Sequence, residues 1–260
     1  MGNRRDYLVE NIVKICQKLD SKGFVANHDG NISVRFGDYL LATPTAESKS
    51  AINSDMIISI DMDGKKINGI GNPFSEIKLH IAAYNARKDA KAVVHAHPPF
   101  ATARGLIDKP LRPVLPEAIV SIGDIIPVTP FAMPGDPEND YIITDALHNS
   151  DVFMMPGNGV LTIGDDIEQA YLRLELVEHL AKIDYYTSVM ENSTACSSMT
   201  LSEENLQKLL DKRKSIGLGP QARLFNQTSE QQFSQTPAKP QLGGLRDIIA
   251  EEIRNVLNGT

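Results

Sequence analysis

"KAVVHAHPPF", Lys91 to Phe100, decides how this chain is read. Val93, His95 and His97 fall on one face of an alternating segment and Ala92, Val94 and Ala96 on the other, as in a buried strand. Pro98 and Pro99 stop that strand at once, because proline cannot donate to a ladder. Two imidazoles at i and i+2 point the same way, about 6 to 7 Å apart at a rise of roughly 3.3 Å per residue. One reading makes them satisfied core histidines. The other has both rings converge on one divalent ion; a same-face pair at a strand end, with the chain leaving the sheet directly after it, favours that reading. Imidazole and carboxylate ligands around an open position point to zinc.

Upstream, "PFSEIKLHIAAYNARKD" switches to helical spacing, with Ile77, Ile81 and Tyr84 or Asn85 on successive turns. Ser75 is placed to cap it, so the helix is expected to begin near Glu76. "GNISVRFGDYLLATP" and "DMIISIDMDGKKINGIG" read as meandering antiparallel strands punctuated by Gly and Asp. Leu8, Ile12, Ile15, Cys16 and Leu19, with Gly23 as a stop, predict an amphipathic helix over roughly residues 5 to 22. Downstream, "AIVSIGDIIPV", "VFMMPG" and "GVLTIG" are expected to be strands. "DDIEQAYLRLELVEHLAKIDYYTSVM" is expected to be a long helix with Ala170, Leu174, Val177 and Ala181 on one stripe. The sum is an α/β fold: a three-layer α/β/α arrangement with a mixed, largely antiparallel central sheet. No internal repeat is visible.

A short helix, "SEENLQKLLDKRKSIG", closes a first domain at residues 1–216. Residues 217–243, rich in Gln, Pro, Ser, Thr and Gly, read as a flexible linker. Residues 244–260 place Leu245, Ile248, Ile249, Ile253, Val256 and Leu257 at helical intervals. So short a helix is marginal alone in water, which implies that it docks on something.

With 26 basic against 33 acidic side chains the 260-residue chain carries a net charge of −7, which argues against nucleic acid or anionic lipid as a partner. The two cysteines, Cys16 and Cys196, have no metal-type spacing and read as reduced thiols of a cytoplasmic protein. The start "MGNRRDYLVENIVKICQ" lacks an uninterrupted apolar region, and no window approaches the roughly 20 apolar residues of a membrane span. Asp6 stands where a myristoylation motif wants Ser or Thr.

"GNISVR", "TPTA", "SEIKLH", "AVVHAHPP" and "GNGVLTIG" followed by the long helix stand in the order and spacing of the class II aldolase and adducin family. The chain resembles that family over about residues 5 to 215. It includes the fuculose and rhamnulose phosphate aldolases and the ribulose phosphate 4-epimerase. The resemblance implies His95 and His97 as metal ligands and Glu76 as the acid/base residue. Such chemistry cleaves a small sugar or sugar phosphate by retro-aldol through a metal-stabilised enediolate. Without the histidines, Glu76 would read as an acidic residue favoured by the helix dipole.

Where the family usually has a third histidine before Gly, this chain has Asn158 in "PGNGV". An amide oxygen is a poorer zinc ligand than imidazole but suits manganese or magnesium. Asn158-Gly159 also reads as a hairpin turn, and His148 is a further candidate to complete the site. For phosphate, Asn31, Thr45 and Ser75 match the family's loops, although Ala46 stands where Gly is usual and Phe74 where a first Ser is usual. Asn31 and Thr45 equally suit ordinary turn chemistry. Glu117 in "LPEAIV" is the candidate proton donor.

The leading expectation is therefore a metal-dependent aldolase. A 4-epimerase needs the same chemistry, and a non-catalytic adducin-like assembly module with an eroded metal site is the alternative from another class. Family relatives form tetramers, which implies a homotetramer. The tail resembles the peptides that dock enzymes to bacterial microcompartment shells, with a shell or scaffold protein as partner; packing on its own oligomer is the plainer alternative.

Overall fold

The structure, a computed structural model, describes residues 2–107, 109–131, 139–194 and 200–220. The chain runs α1 (Gly2–Ser21), β1 (Asn31–Phe36), β2 (Tyr39–Ala42), β3 (Ile58–Ile60), β4 (Lys66–Asn68), α2 (Ile77–Ala86), β5 (Ala92–Ala96), α3 (Pro99–Gly105), α4 (Pro116–Ile122), α5 (Asn139–Asn149), β6 (Val152–Met154), β7 (Val160–Gly164), α6 (Ile167–Thr194) and α7 (Glu203–Ser215). The strands form one seven-stranded sheet in the order β4-β3-β2-β1-β5-β7-β6. Every paired strand is antiparallel, and a parallel contact occurs at the isolated bridge Val128–Met154.

Alternation along the strands divides the core into layers. Ile32, Val34, Leu41, Val94 and Ala96 pack against α1 and the first turns of α6. Leu40, Ala42, Ile58, Val93 and Leu161 pack on the opposite face against α2 and α5. Helices thus cover both faces of an antiparallel sheet, the expected three layers. The expected stripe Ala170, Leu174, Val177 and Ala181 of α6 is buried throughout.

Three local expectations are corrected. "AIVSIGDIIPV" is not a strand: Pro116 to Ile122 is helix α4, with Pro116 in its first turn, Glu117 beside it and Gly123 at φ 99° ending it. Proline's fixed φ starts a helix well, and those end signals outweigh the β-branched run. Ser75 does not cap α2; the cap position is Glu76, and no side chain caps that end. Helices α3 and α5, which the apolar spacing did not announce, lie between strands β5 and β6.

One buried polar hub ties three helices to the start of β6. Asp151, 1 % exposed, accepts from Arg87 Nη1 of the turn after α2 at 2.9 Å and from Arg213 Nη2 of α7 at 2.7 Å. Arg173 Nη2 of α6 lies 3.0 Å away. Arg87 is shared with Asp89, at 2.6 Å and 2.9 Å.

Among the described residues no helix is long and apolar enough to cross a membrane. The Cys16 thiol is fully buried, and burial pushes it up to about 12, so it is held as an inert thiol. Cys196, nearly all of the linker assigned to 217–243 and the helix assigned to 244–260 lie outside the described residues.

Candidate active site

The site forms where the sheet's register and one helix coincide. Asn31 at the start of β1 lies directly opposite His95 near the end of β5, so their side chains emerge on the same face. On the other side of β5, Val160 at the start of β7 pairs with Ala96, which brings the preceding residues, Asn158 and Gly159, beside His97. Helix α2 lies over this face with Glu76 at its N-terminal end.

The rings of His95 and His97 converge as the alternation requires. Their Nε2 atoms lie 3.1 Å apart, and Glu76 Oε2 lies 3.5 Å from His95 Nε2. His95 is buried, whereas His97, just past the strand, is half-buried. The Nδ1 of His97 faces the carboxylate of Asp29 at 3.5 Å. That pairing favours a proton on Nδ1 and leaves the Nε2 lone pair toward His95, as in histidines that bind metals.

Glu76 is held at both oxygens. Asn31 Nδ2 donates to Oε2 at 2.9 Å and Asn158 Nδ2 donates to Oε1 at 2.8 Å. Burial opposes its ionisation, the hydrogen bonds from Asn158 and Asn31 favour it, and its pKa is lowered. Burial pushes the His95 imidazole the other way, to a lower pKa, so the resting pair is a carboxylate beside a neutral ring.

Beneath Glu76 the polar contacts continue as a ladder. His80 and Tyr84 follow Glu76 at i+4 and i+8 on α2, while Ser33 and Arg35 follow Asn31 at i+2 and i+4 on β1. Four helical residues rise about 6 Å and two strand residues about 6.6 Å, so successive rungs stay in step. His80 Nε2 lies 2.6 Å from Asn31 Oδ1, and His80 Nδ1 lies 2.7 Å from Ser33 Oγ. The Tyr84 hydroxyl lies 3.0 Å from Ser33 Oγ and donates to Ser33 O at 2.9 Å. Arg35 closes the ladder by donating to Tyr84 O at 3.2 Å, its guanidinium over the Tyr84 ring.

His80, Ser33 and Asp29 were not singled out from sequence, and Tyr84 was read there only as part of the helical spacing. The available signal was the polar alternation Asn31, Ser33, Arg35 inside an apolar strand, combined with Glu76, His80 and Tyr84 at four-residue spacing.

The remaining expected residues are placed as follows. The tight turn between β6 and β7 is Pro156-Gly157, closed by Asn158 N donating to Met155 O at 3.0 Å, rather than Asn158-Gly159. Proline followed by glycine at φ 72° suits that turn, and Asn158 is left to reach Glu76. Gly159 has φ 69°, and a Cβ there would fall 2.2 Å from Ala96 O and 2.5 Å from His97 Cδ2; the hairpin lies against His97 with no room for a side chain.

Thr45 and Ala46 are exposed in the loop after β2, and Ala46 holds φ 61°, the left-handed conformation that glycine adopts freely. Lys49, 2 % exposed, staples this loop to the one carrying Asp29 by donating to Glu47 O at 3.0 Å and His28 O at 3.3 Å. Ser75 is exposed, and Phe74 is buried with its ring 4.9 Å from that of His80.

Glu117 is not brought to this site. It is exposed in the first turn of α4 and lines a groove with Val120, Ser121, Leu209 and Lys212. His148 closes α5 at the entry to β6, the far end of that strand from Asn158.

Among the described residues no group of three His, Cys, Asp or Glu side chains is arranged to hold an ion. The donor chemistry of the pair nonetheless fits one. Two imidazole nitrogens bound to zinc at 2.0–2.1 Å in a tetrahedral arrangement stand about 3.3 Å apart, and the observed separation is 3.1 Å.

Residues 10–185 match the family model described as the class II aldolase and adducin N-terminal domain. The L-fuculose phosphate aldolase of Escherichia coli O6:H1 is 30% identical over 214 residues, covering 82% of this chain and 97% of that protein. The L-fuculose phosphate aldolase of Methanococcus maripaludis strain S2 is 32% identical over 173 residues, covering 66% of this chain and 93% of its own. Among solved structures, YgbL of Escherichia coli superposes with a TM-score of 0.72 at 23% identity over 79% of this chain and 99% of its own. The L-fuculose-1-phosphate aldolase of Thermus thermophilus gives 0.65 at 23% identity, over 75% and 100%. These two structural likenesses speak to the fold.

Proposed function

The chain belongs to the class II aldolase and adducin family, and from that premise we propose that it is a metal-dependent aldolase cleaving a sugar phosphate. The observation that carries the reading is the Glu76 carboxylate, 3.5 Å from His95 Nε2, beside two Nε2 atoms 3.1 Å apart. His95 and His97 would hold a divalent ion, zinc by the chemistry of imidazole, with the Asn158 carbonyl oxygen as a weaker donor that manganese or magnesium tolerates. When bound, such an ion supplies Lewis-acid polarisation of a substrate carbonyl.

The chain's own groups do the rest. Glu76, ionised at neutral pH, takes or returns the proton on the carbon next to that carbonyl. The Asn31 and Asn158 amides fix both carboxylate oxygens, so the base keeps one orientation. Asp29 orients the His97 ring. The carbon–carbon bond breaks as its electron pair moves toward the carbonyl, the hydroxyl carbon beyond it becomes an aldehyde, and the proton lost from that hydroxyl balances the one returned to carbon. In this proposal residues 1–216 carry the activity, as a homotetramer, and residues 244–260 dock on a shell or scaffold protein.

The test is elemental analysis of the purified protein followed by a panel of ketose 1-phosphates, L-fuculose 1-phosphate among them, with Glu76→Gln alongside. Bound ion and aldehyde release are expected, with turnover falling about 10²–10⁴-fold in Glu76→Gln. Interconversion of sugar phosphates without free aldehyde would assign the epimerase. No ion and no turnover would leave the non-catalytic assembly module, the reading that Asn158 in place of an imidazole favours.

A further inference from the structure

We propose that His80, which no substrate atom need touch, is a positioning residue for Glu76 that acts through Asn31. This deepens the reading of Glu76 as the base and rests on it.

The hydrogen bonds permit one arrangement of protons. A carboxylate only accepts, so Asn31 must turn Nδ2 toward Glu76 Oε2, at 2.9 Å. Its Oδ1 therefore faces His80 Nε2, at 2.6 Å. An amide oxygen also only accepts, so the proton of His80 sits on Nε2. The ring is fully buried, where a second, charging proton is costly, so Nδ1 keeps its lone pair and accepts from Ser33 Oγ at 2.7 Å. The Tyr84 hydroxyl, whose proton goes to Ser33 O at 2.9 Å, lies 3.0 Å from the Ser33 hydroxyl oxygen and ends the row.

From Ser33 to Asn31 every donor in this row points the same way, toward Glu76. With the proton on Nδ1 instead, two acceptors would meet at the His80–Asn31 contact. The relief would be to flip the Asn31 amide, which sets its carbonyl oxygen against the Glu76 carboxylate. His80 thus selects the Asn31 orientation, and Asn31 selects that of Glu76. Ser33, His80 and Tyr84 are fully buried and Phe74 lies edge-on to the His80 ring, so these groups are shielded from bulk water.

The experiment has two arms on the full chain. In the first, nitrogen-15 spectra of the wild-type protein at pH 7 report the His80 tautomer, the signal being assigned by its loss in His80→Gln. The expected result is a protonated Nε2, a bare Nδ1 and Asn31 amide protons protected from exchange; a protonated Nδ1 overturns the proposal. In the second, the ion-loaded enzyme turns over whichever ketose phosphate the panel identifies. His80→Asn, whose amide reaches the Nδ1 position but not the Nε2 position, should lose kcat about 10²-fold, the cost of a roughly 1 Å misplacement, with KM changed less than twofold. His80→Gln, which presents an amide donor where Nε2 stood, should recover at least tenfold of that loss.

Equal losses in both variants, or a loss confined to KM, overturn the proposal. Absence of turnover in the wild type would sink the aldolase reading instead, and the spectra would still decide whether His80 sets the Asn31 amide. Should either variant fail to fold, the wild-type tautomer alone decides, its signal then assigned through correlations from the ring to the His80 backbone.

Discussion

Acid should weaken this fold through His80 in a way that one substitution isolates. Burial first, and His95 second, push the His80 pKa down from 6.5 to about 3, with Glu76 opposing. A group depressed on folding contributes stability that is full above its unfolded pKa and drains away as pH falls toward the folded one. Between pH 6.5 and about 3 the unfolded chain binds a proton that the native ring refuses, because Nδ1 already accepts from Ser33 and Nε2 already donates to Asn31. At about 1.4 kcal/mol per unit of pKa difference, acidification from pH 7 to pH 4 removes about 3 kcal/mol through this residue alone. His80→Gln cannot titrate, and all other groups respond to pH almost alike in both proteins. The wild-type advantage over His80→Gln should therefore shrink by about 3 kcal/mol across that interval. Urea unfolding followed by circular dichroism is the assay, since the chain has no tryptophan to report by fluorescence. A difference in unfolding free energy that stays constant from pH 7 to pH 4 would refute the assignment of a buried, neutral His80.

Asp151→Ala leaves the Arg87, Arg173 and Arg213 guanidiniums at one buried position without the carboxylate that all three engage; about 3–5 kcal/mol of stability should be lost, read by urea unfolding at pH 7. Gly159→Ala places a methyl 2.2 Å from Ala96 O on a backbone held at φ 69°, so it should cost about 2–4 kcal/mol and loosen retention of a bound ion, read by competition with a chelator.

Legibility followed the range of the interactions. The histidine pair was readable because a strand's period of two is local, and the start of α2 near Glu76 was readable from helical spacing. The β-branched run after Glu117 misled, although Pro116 and Gly123 carried the correct boundaries of α4. Helix α5 hid behind "YIIT", while its real stripe, Ile143 and Leu147, is only two residues deep. The Ser33, His80 and Tyr84 rungs and the Asp151 hub depend on how a helix lies over a strand, and no window of sequence contains that. Glu117 lies apart from this site within one chain, on α4, because closeness along the chain to the strand of His95 does not carry into space.

On the proposed reading, Asn158 changes which partner the hairpin serves. An imidazole at that position would give its nitrogen to the ion and leave one oxygen of Glu76 without its amide. Asn158 instead spends its Nδ2 on Glu76 Oε1 at 2.8 Å, and it can do so because Pro156 and Gly157 make the turn. The base is thereby gripped from β1 and from the β6–β7 hairpin at once, while His95, His97 and the Asn158 oxygen are what would remain to hold an ion. Weaker retention of the ion and a more rigid Glu76 are then two consequences of one substitution. That coupling explains why the ladder beneath Glu76 matters here: with an acceptor-only carboxylate between two amides, the orientation of Asn31 decides whether both grips hold.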